Sequence, residues 1–159
     1  MANTNELKER IEPYVQVKLF ERFGVPFSKK MLPLAGCTGE HEFDAVSLDG
    51  KIAASIKSSS GRTSGGSNPA GKFHAAFEEL YFLNLVRAEK KLLVLTNKDF
   101  YYLFKKKSGG RVAPGLELWY CPLTAELEEL TRKISADASD EIDRGKGHMA
   151  RGSAAGSKE

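Results

Sequence analysis

Residues 42–57 read EFDAVSLDGKIAASIK: two alternating, β-prone runs with Asp49-Gly50 between them. Asp-Gly accepts the positive φ angles of a tight type I′ turn, whose twist suits the flanking strands, so the stretch predicts a β-hairpin. With Asp49 and Gly50 as the turn residues, Leu48 opposes Lys51, Asp44 opposes Ser55 and Glu42 opposes Lys57. Strand side chains alternate between faces, so Glu42, Asp44, Ser55 and Lys57 are expected on one side of the sheet. Directly opposed Cβ atoms lie about 5 Å apart, which would gather two carboxylates, a hydroxyl and an ammonium into one patch.

Outward from the hairpin, the periodicity changes. Residues 4–23 carry Leu7, Ile11, Tyr14, Val15, Leu19 and Phe23 at helical spacing, and Gly24 is a stop signal. Pro13 inside this pattern should kink the helix or divide it. A loop is expected through Pro33 and Gly36. After the hairpin, residues 58–71 (SSSGRTSGGSNPAG) hold nothing apolar larger than alanine or proline and read as a loop. A helix follows from about Pro69 to Lys90, with Phe73, Ala76, Phe77, Leu80, Leu83 and Leu85 as its apolar face. Leu92 to Thr96 is a continuous apolar run, as in a buried central strand. Asn97 to Lys107 reads as a short helix closed by Gly109-Gly110, Leu116 to Cys121 as a strand, and Thr124 to Ile134 as a helix capped by Thr124. Residues 137–159 are polar and rich in small residues and are expected to be a disordered tail, leaving 1–136 as a single α/β domain. The resulting order is helix, two or three strands, helix, strand, short helix, strand, helix, and the implied architecture is a mixed sheet flanked by helices.

The chain of 159 residues, 41% hydrophobic and 28% charged, is long enough for a core without disulfides or a structural metal. No window approaches a membrane span and no signal-like apolar stretch opens the chain, so no membrane partner and a cytoplasmic address are expected. Cys37 and Cys121 lack the paired spacing of a zinc site or a disulfide framework and read as reduced, semi-buried thiols. The net charge of +3 permits a nucleic-acid partner without arguing for one. Positive charge gathers at Lys29-Lys30, Lys90-Lys91 and Lys105-Lys106-Lys107; the last run reads first as a solvated helix end.

The hairpin stretch, with Asp44 on one strand and Ser55-Ile56-Lys57 on the next, resembles the PD-(D/E)xK nuclease family. The resemblance covers about residues 4–121 and implies a restriction-endonuclease-like core, ordered helix, three-stranded meander, helix, strand. It further implies a metal-dependent endonuclease acting on DNA, restriction- or phage-related, using Mg²⁺ or Mn²⁺, and it allows a homodimer. Asp44, Ser55 and Lys57 fall on the family's catalytic positions. Ser55 departs from the pattern, since a second carboxylate usually stands there. Some family members with Ser-x-Lys take that carboxylate from the following helix, which makes Glu78 and Glu79 the expected metal ligands beside Asp44; Glu42 is a further candidate. Arg62 in the loop and Lys72 at the start of the helix are the expected contacts to the nucleic-acid backbone. The alternative is a catalytically degenerate member of the fold that binds nucleic acid or a protein partner.

A plainer account competes with the site: Asp44 and Lys57 as an ordinary cross-strand ion pair on a solvated face, worth under about 1 kcal/mol. By alternation, His41 should point away from Glu42 and Asp44 and be structural or solvated. His74, one turn before Glu78, is left open between the site and solvent. Tyr101, Tyr102 and Trp119 read as core or rim aromatics before they read as base-stacking platforms.

Overall fold

The computed structural model describes residues 4–61, 66 and 68–149. Its elements follow in the order α1 (Thr4–Phe23), β1 (Phe27–Pro33), β2 (Glu40–Ser47), β3 (Ile52–Lys57), α2 (Ala70–Leu85), β4 (Lys90–Leu95), α3 (Lys98–Lys107), β5 (Leu116–Tyr120) and α4 (Ala125–Met149). The protein is α/β, with one five-stranded mixed sheet in the order β1-β2-β3-β4-β5. β1, β2 and β3 form an antiparallel meander; β4 and β5 then join parallel to β3 through the crossover helices α2 and α3.

Two apolar clusters, one on each face, hold the layers together. Phe73, Leu80 and Leu83 of α2 and Phe100 and Phe104 of α3 cover Phe43, Val46, Ala53, Leu93 and Leu95. On the other face, Leu7, Ile11, Val15 and Leu19 of α1 and Ile134 of α4 cover Ala45, Ala54, Ile56, Leu92 and Val94. Successive residues of β4 thus enter opposite cores, which is why its sequence is a continuous apolar run. No helix among the described residues is long and apolar enough to cross a membrane.

The hairpin register is the one expected: Ala45 faces Ala54 and Val46 faces Ala53. The turn differs. Only Gly50 has a positive φ, +73°, whereas a type I′ turn needs a second residue there. The loop is four residues, Leu48 to Lys51, closed by Gly50 N–H to the Ser47 carbonyl at 2.9 Å. Asp49 prefers to accept hydrogen bonds from Ser47 Oγ (2.7 Å) and Lys51 N–H (3.0 Å), which ties its carboxylate to the loop and holds its pKa below the usual range.

Three further differences from the sequence reading have physical causes. β1 lies in the stretch read as a loop; its burial pattern is almost wholly exposed, so the edge strand carries no apolar alternation to see. Pro13 sits inside α1 without dividing it, since the buried residues Leu7, Ile11, Val15 and Leu19 anchor both halves to one core. α4 runs to Met149, well past Ile134, over part of the stretch expected to be a disordered tail. No proline follows Pro122, and alanines and charged residues sustain a helix without an apolar stripe. Residues 150–159 of that tail lie outside the described residues.

A candidate functional site where two strands diverge

The site begins with a β-bulge. Between Ser28 facing Val46 and Lys30 facing Phe43, β1 contributes one residue and β2 contributes two, Asp44 and Ala45. The extra residue shifts the phase of β2, so Phe43 and Val46 enter the same core while Ala45 enters the opposite one. The β2–β3 ladder stops at Ala45 and Ala54, whereas β3 continues beside β4 to Lys57. Two neighbouring strands therefore part, and Asp44 occupies the gap: its Oδ2 accepts the Ile56 backbone N–H at 2.7 Å, in place of a ladder bond. Gln16 of α1 donates to the Asp44 carbonyl at 2.9 Å and fixes the bulge from the helix side.

Asp44 is half-buried, and burial pushes its carboxyl pKa up. The Ile56 N–H bond opposes this, while the negative charges of Glu12 and Glu79 add to it. Glu12 approaches from α1 and Glu79 from α2, so both helical layers send a carboxylate towards the same aspartate. Glu79 lies 3.5 Å from Lys57 Nζ through one oxygen and 3.2 Å from His41 Nε2 through the other. Glu12 is buried and pairs with Lys29 at 2.9 Å and with Lys8 at 3.9 Å.

The expected residues divide accordingly. Lys57 and Glu79 come together on the α2 side, and Ser55 lies beneath them, since alternation along β3 puts it on the face of Ala53. Ser55 is 1% exposed and its Oγ has no hydrogen-bond partner among the described residues. Glu42 is turned to the opposite face by the bulge, is half-exposed, and lies 3.7 Å from Lys29. The expectation that it shares a face with Lys57 is thus corrected by one inserted residue. Glu78 and His74 are on the exposed face of α2. Lys72 donates to Ser60 Oγ at 2.6 Å, and burial pushes its ammonium pKa down. Arg62 lies outside the described residues. Among the described residues Asp44 has no ion-pair partner within 4.0 Å, so the plain cross-strand pair with Lys57 is not formed.

Comparison with family models, curated proteins and solved structures gives no match. The site therefore stands on its own geometry.

Glu12 is the residue the sequence reading missed, and a signal for it existed. At 100° per residue, Glu12 falls about 20° from Leu19 on the helical wheel, a charge set inside an apolar stripe. His41 does point away from Glu42, as alternation predicts, yet that direction brings it to Glu79. It stacks on Phe82 at 3.9 Å with 9° between ring planes and meets the Phe43 ring edge-on.

The carboxylates fit a hard divalent cation in donor type. No group of three or more His, Cys, Asp or Glu side chains among the described residues closes on one point. Mg²⁺ does not require such a cage, because it keeps several waters and is commonly held by one or two carboxylates together with substrate phosphate. Negative charge crowded onto a half-buried aspartate is what a bound cation would relieve.

Proposed function

We propose that this chain is a metal-dependent phosphodiesterase acting on DNA, with Asp44 and Glu79 as metal ligands, Glu12 supporting them and Lys57 beside the reacting phosphate. The observation that carries this reading is the meeting of Glu79 and Lys57 at the gap occupied by Asp44. The element order, a helix, an antiparallel meander, a crossover helix and a parallel strand, supports a restriction-endonuclease-like core. Such a core would make Ser55 a position whose carboxylate has moved to α2.

When bound, a Mg²⁺ or Mn²⁺ ion would lower the pKa of a bound water and neutralise charge on the phosphate under attack. The chain's own groups do the rest. The Ile56 N–H bond orients the Asp44 carboxylate, and the rise in its pKa from burial keeps it a strong ligand once deprotonated. The Lys57 ammonium, a compact donor on a flexible stem, can orient the attacking water or meet negative charge developing on phosphate oxygen. Lys72 and Ser60, bonded to each other next to the glycine-rich loop, offer a cation and a hydroxyl to a neighbouring backbone phosphate.

The test is nicking of supercoiled plasmid by the purified chain with Mg²⁺ or Mn²⁺. Activity that disappears in Asp44→Ala and Lys57→Ala is expected. Absence of cleavage of any DNA or RNA with either metal would remove the catalytic reading.

Ser55, standing where a second carboxylate usually stands, favours a second reading, a degenerate member of the fold that binds nucleic acid or a protein partner without cutting. Calorimetric titration separates the two. Metal binding weakened by Glu79→Gln together with cleavage supports catalysis, and tight metal binding without cleavage, or salt-sensitive DNA binding indifferent to metal, supports the alternative.

A further inference from the structure

α3 presents an aromatic and basic stripe that the core does not use. Its buried face is Phe100 and Phe104. On the opposite side Lys98, Tyr102 and Lys106 follow one another at four-residue spacing, and all three are exposed; Tyr102 is 59% exposed, among the most open large side chains of the chain. The stripe covers about 12 Å along the helix. Tyr101 backs it, with its ring 5.3 Å from Tyr102 and 5.8 Å from Tyr120, and with Lys105 Nζ 5.6 Å above its centre.

The position of this stripe relative to the gap follows from the sheet register. Lys57, Leu95 and Tyr120 are register partners at the carboxyl ends of three parallel strands. At about 4.8 Å per strand, Lys57 and Tyr120 are about 10 Å apart at Cα. Leu95 packs under α2 and α3, and Tyr120 meets Tyr101 of α3, so Lys57, Tyr120 and Tyr101 share both the end and the face of the sheet, with Tyr102 on the outer side of α3 beside Tyr101. Gly61 of the loop is packed against Asp99 in the first turn of α3, which connects the two regions along that edge.

A solvated helix end explains lysines but not an exposed tyrosine between them. From this we propose that the Lys98, Tyr102 and Lys106 stripe is a stacking platform for unpaired nucleotides, the tyrosine ring taking a base and the lysines the flanking phosphates. The platform rests on the phosphodiesterase reading for the strand's path past Lys57, and its ligand is a single-stranded nucleic acid. Every base has a π-face, so binding of this kind tolerates sequence.

The experiment is fluorescence anisotropy of labelled oligothymidylate, oligouridylate and a duplex of equal length, with the full chain in EDTA so that nothing is cut. Tyr102→Ala is expected to weaken single-strand binding by about fivefold or more while Tyr102→Phe restores it, and duplex affinity stays within about twofold. Lys106→Gln should lower the salt slope for the single strand by about one ion. The relative affinity of the two single strands tells whether the sugar is DNA or RNA. Undetectable single-strand binding, or binding that Lys106→Gln weakens and Tyr102→Ala does not, overturns the platform. Plasmid nicking by the wild type is read separately. Nicking by the wild type together with single-strand binding that does not depend on Tyr102 sinks the platform alone, and Tyr102-dependent single-strand binding without nicking sinks the phosphodiesterase alone.

Discussion

The Glu79 carboxylate of α2 stands 3.5 Å from the Lys57 ammonium of β3, a contact between residues separated by a glycine-rich loop and part of a helix. Its neighbour Glu78 faces solvent. Helical geometry thus chooses between two adjacent glutamates that are equivalent in the sequence. Glu79→Gln is expected to reduce metal-dependent nicking by roughly 100-fold or more, since loss of charge on a metal ligand removes several kcal/mol of transition-state stabilisation. Glu78→Gln should leave the rate within about twofold. Equal loss in both variants, measured by single-turnover nicking, would refute the assignment.

Asp44 carries a consequence for stability without metal. Its pKa is raised in the folded chain by burial and by Glu12 and Glu79. A carboxyl with a raised folded pKa favours folding below its unfolded pKa, and that contribution is lost as pH rises through the folded value. At neutral pH the ionised group is therefore a liability. Asp44→Asn, which can still accept the Ile56 N–H bond, should melt a few degrees above the wild type at pH 7 in EDTA, with the difference shrinking as pH falls towards the ordinary aspartate range. Mg²⁺ should raise the wild-type Tm and not that of the variant. Melting curves at several pH values check both.

The two thiols should differ in reactivity. Cys37 is exposed, whereas Cys121 is 1% exposed and burial pushes its pKa up to about 11. At pH 8 only about one part in a thousand of Cys121 is thiolate. Native protein should take up one equivalent of a thiol reagent promptly and the second only on unfolding. Rapid double labelling of folded protein would contradict the burial of Cys121 between the sheet and α1.

Gly61 has no room for a side chain. A Cβ there would stand 2.7 Å from the Asp99 Cβ, with the Phe100 backbone nitrogen at 3.5 Å. Gly61→Ala is expected to cost about 1–3 kcal/mol or to push the loop off α3, as overpacking does. Urea denaturation measures the first outcome; faster proteolysis between β3 and α2 measures the second. Gly71→Ala, which meets nothing within 4 Å, serves as the matched control.

The first turn of α3 depends on Asn97, whose Oδ1 accepts the Phe100 N–H at 2.9 Å. Asn97→Ala should lower stability by about 1 kcal/mol, and Asn97→Asp by much less. Chemical denaturation of the three proteins distinguishes a capping effect from general disruption.

Much of this molecule was legible before its structure. The Asp49-Gly50 signal gave the hairpin and its register, although the turn has four loop residues in place of two, because four- and two-residue loops bring the same residues face to face when they share a centre. The long helices and the buried run of β4 were equally plain, since their apolar periodicity is a local property. β1 was hidden by its exposed edge position, and Glu12 by lying far from the hairpin in sequence.

By itself, then, the order of residues determined most of the helices and strands and the pairing of Ala45 with Ala54 and Val46 with Ala53 in the hairpin, for these depend on near neighbours. Tertiary structure alone decided which acidic side chains meet. One inserted residue in β2 reversed the face of Glu42, and the packing of α1 and α2 on opposite sides of the sheet brought Glu12 and Glu79 towards Asp44. Phase along a strand is cumulative, and contact between layers depends on how whole elements dock, so neither is written in any short stretch of the chain.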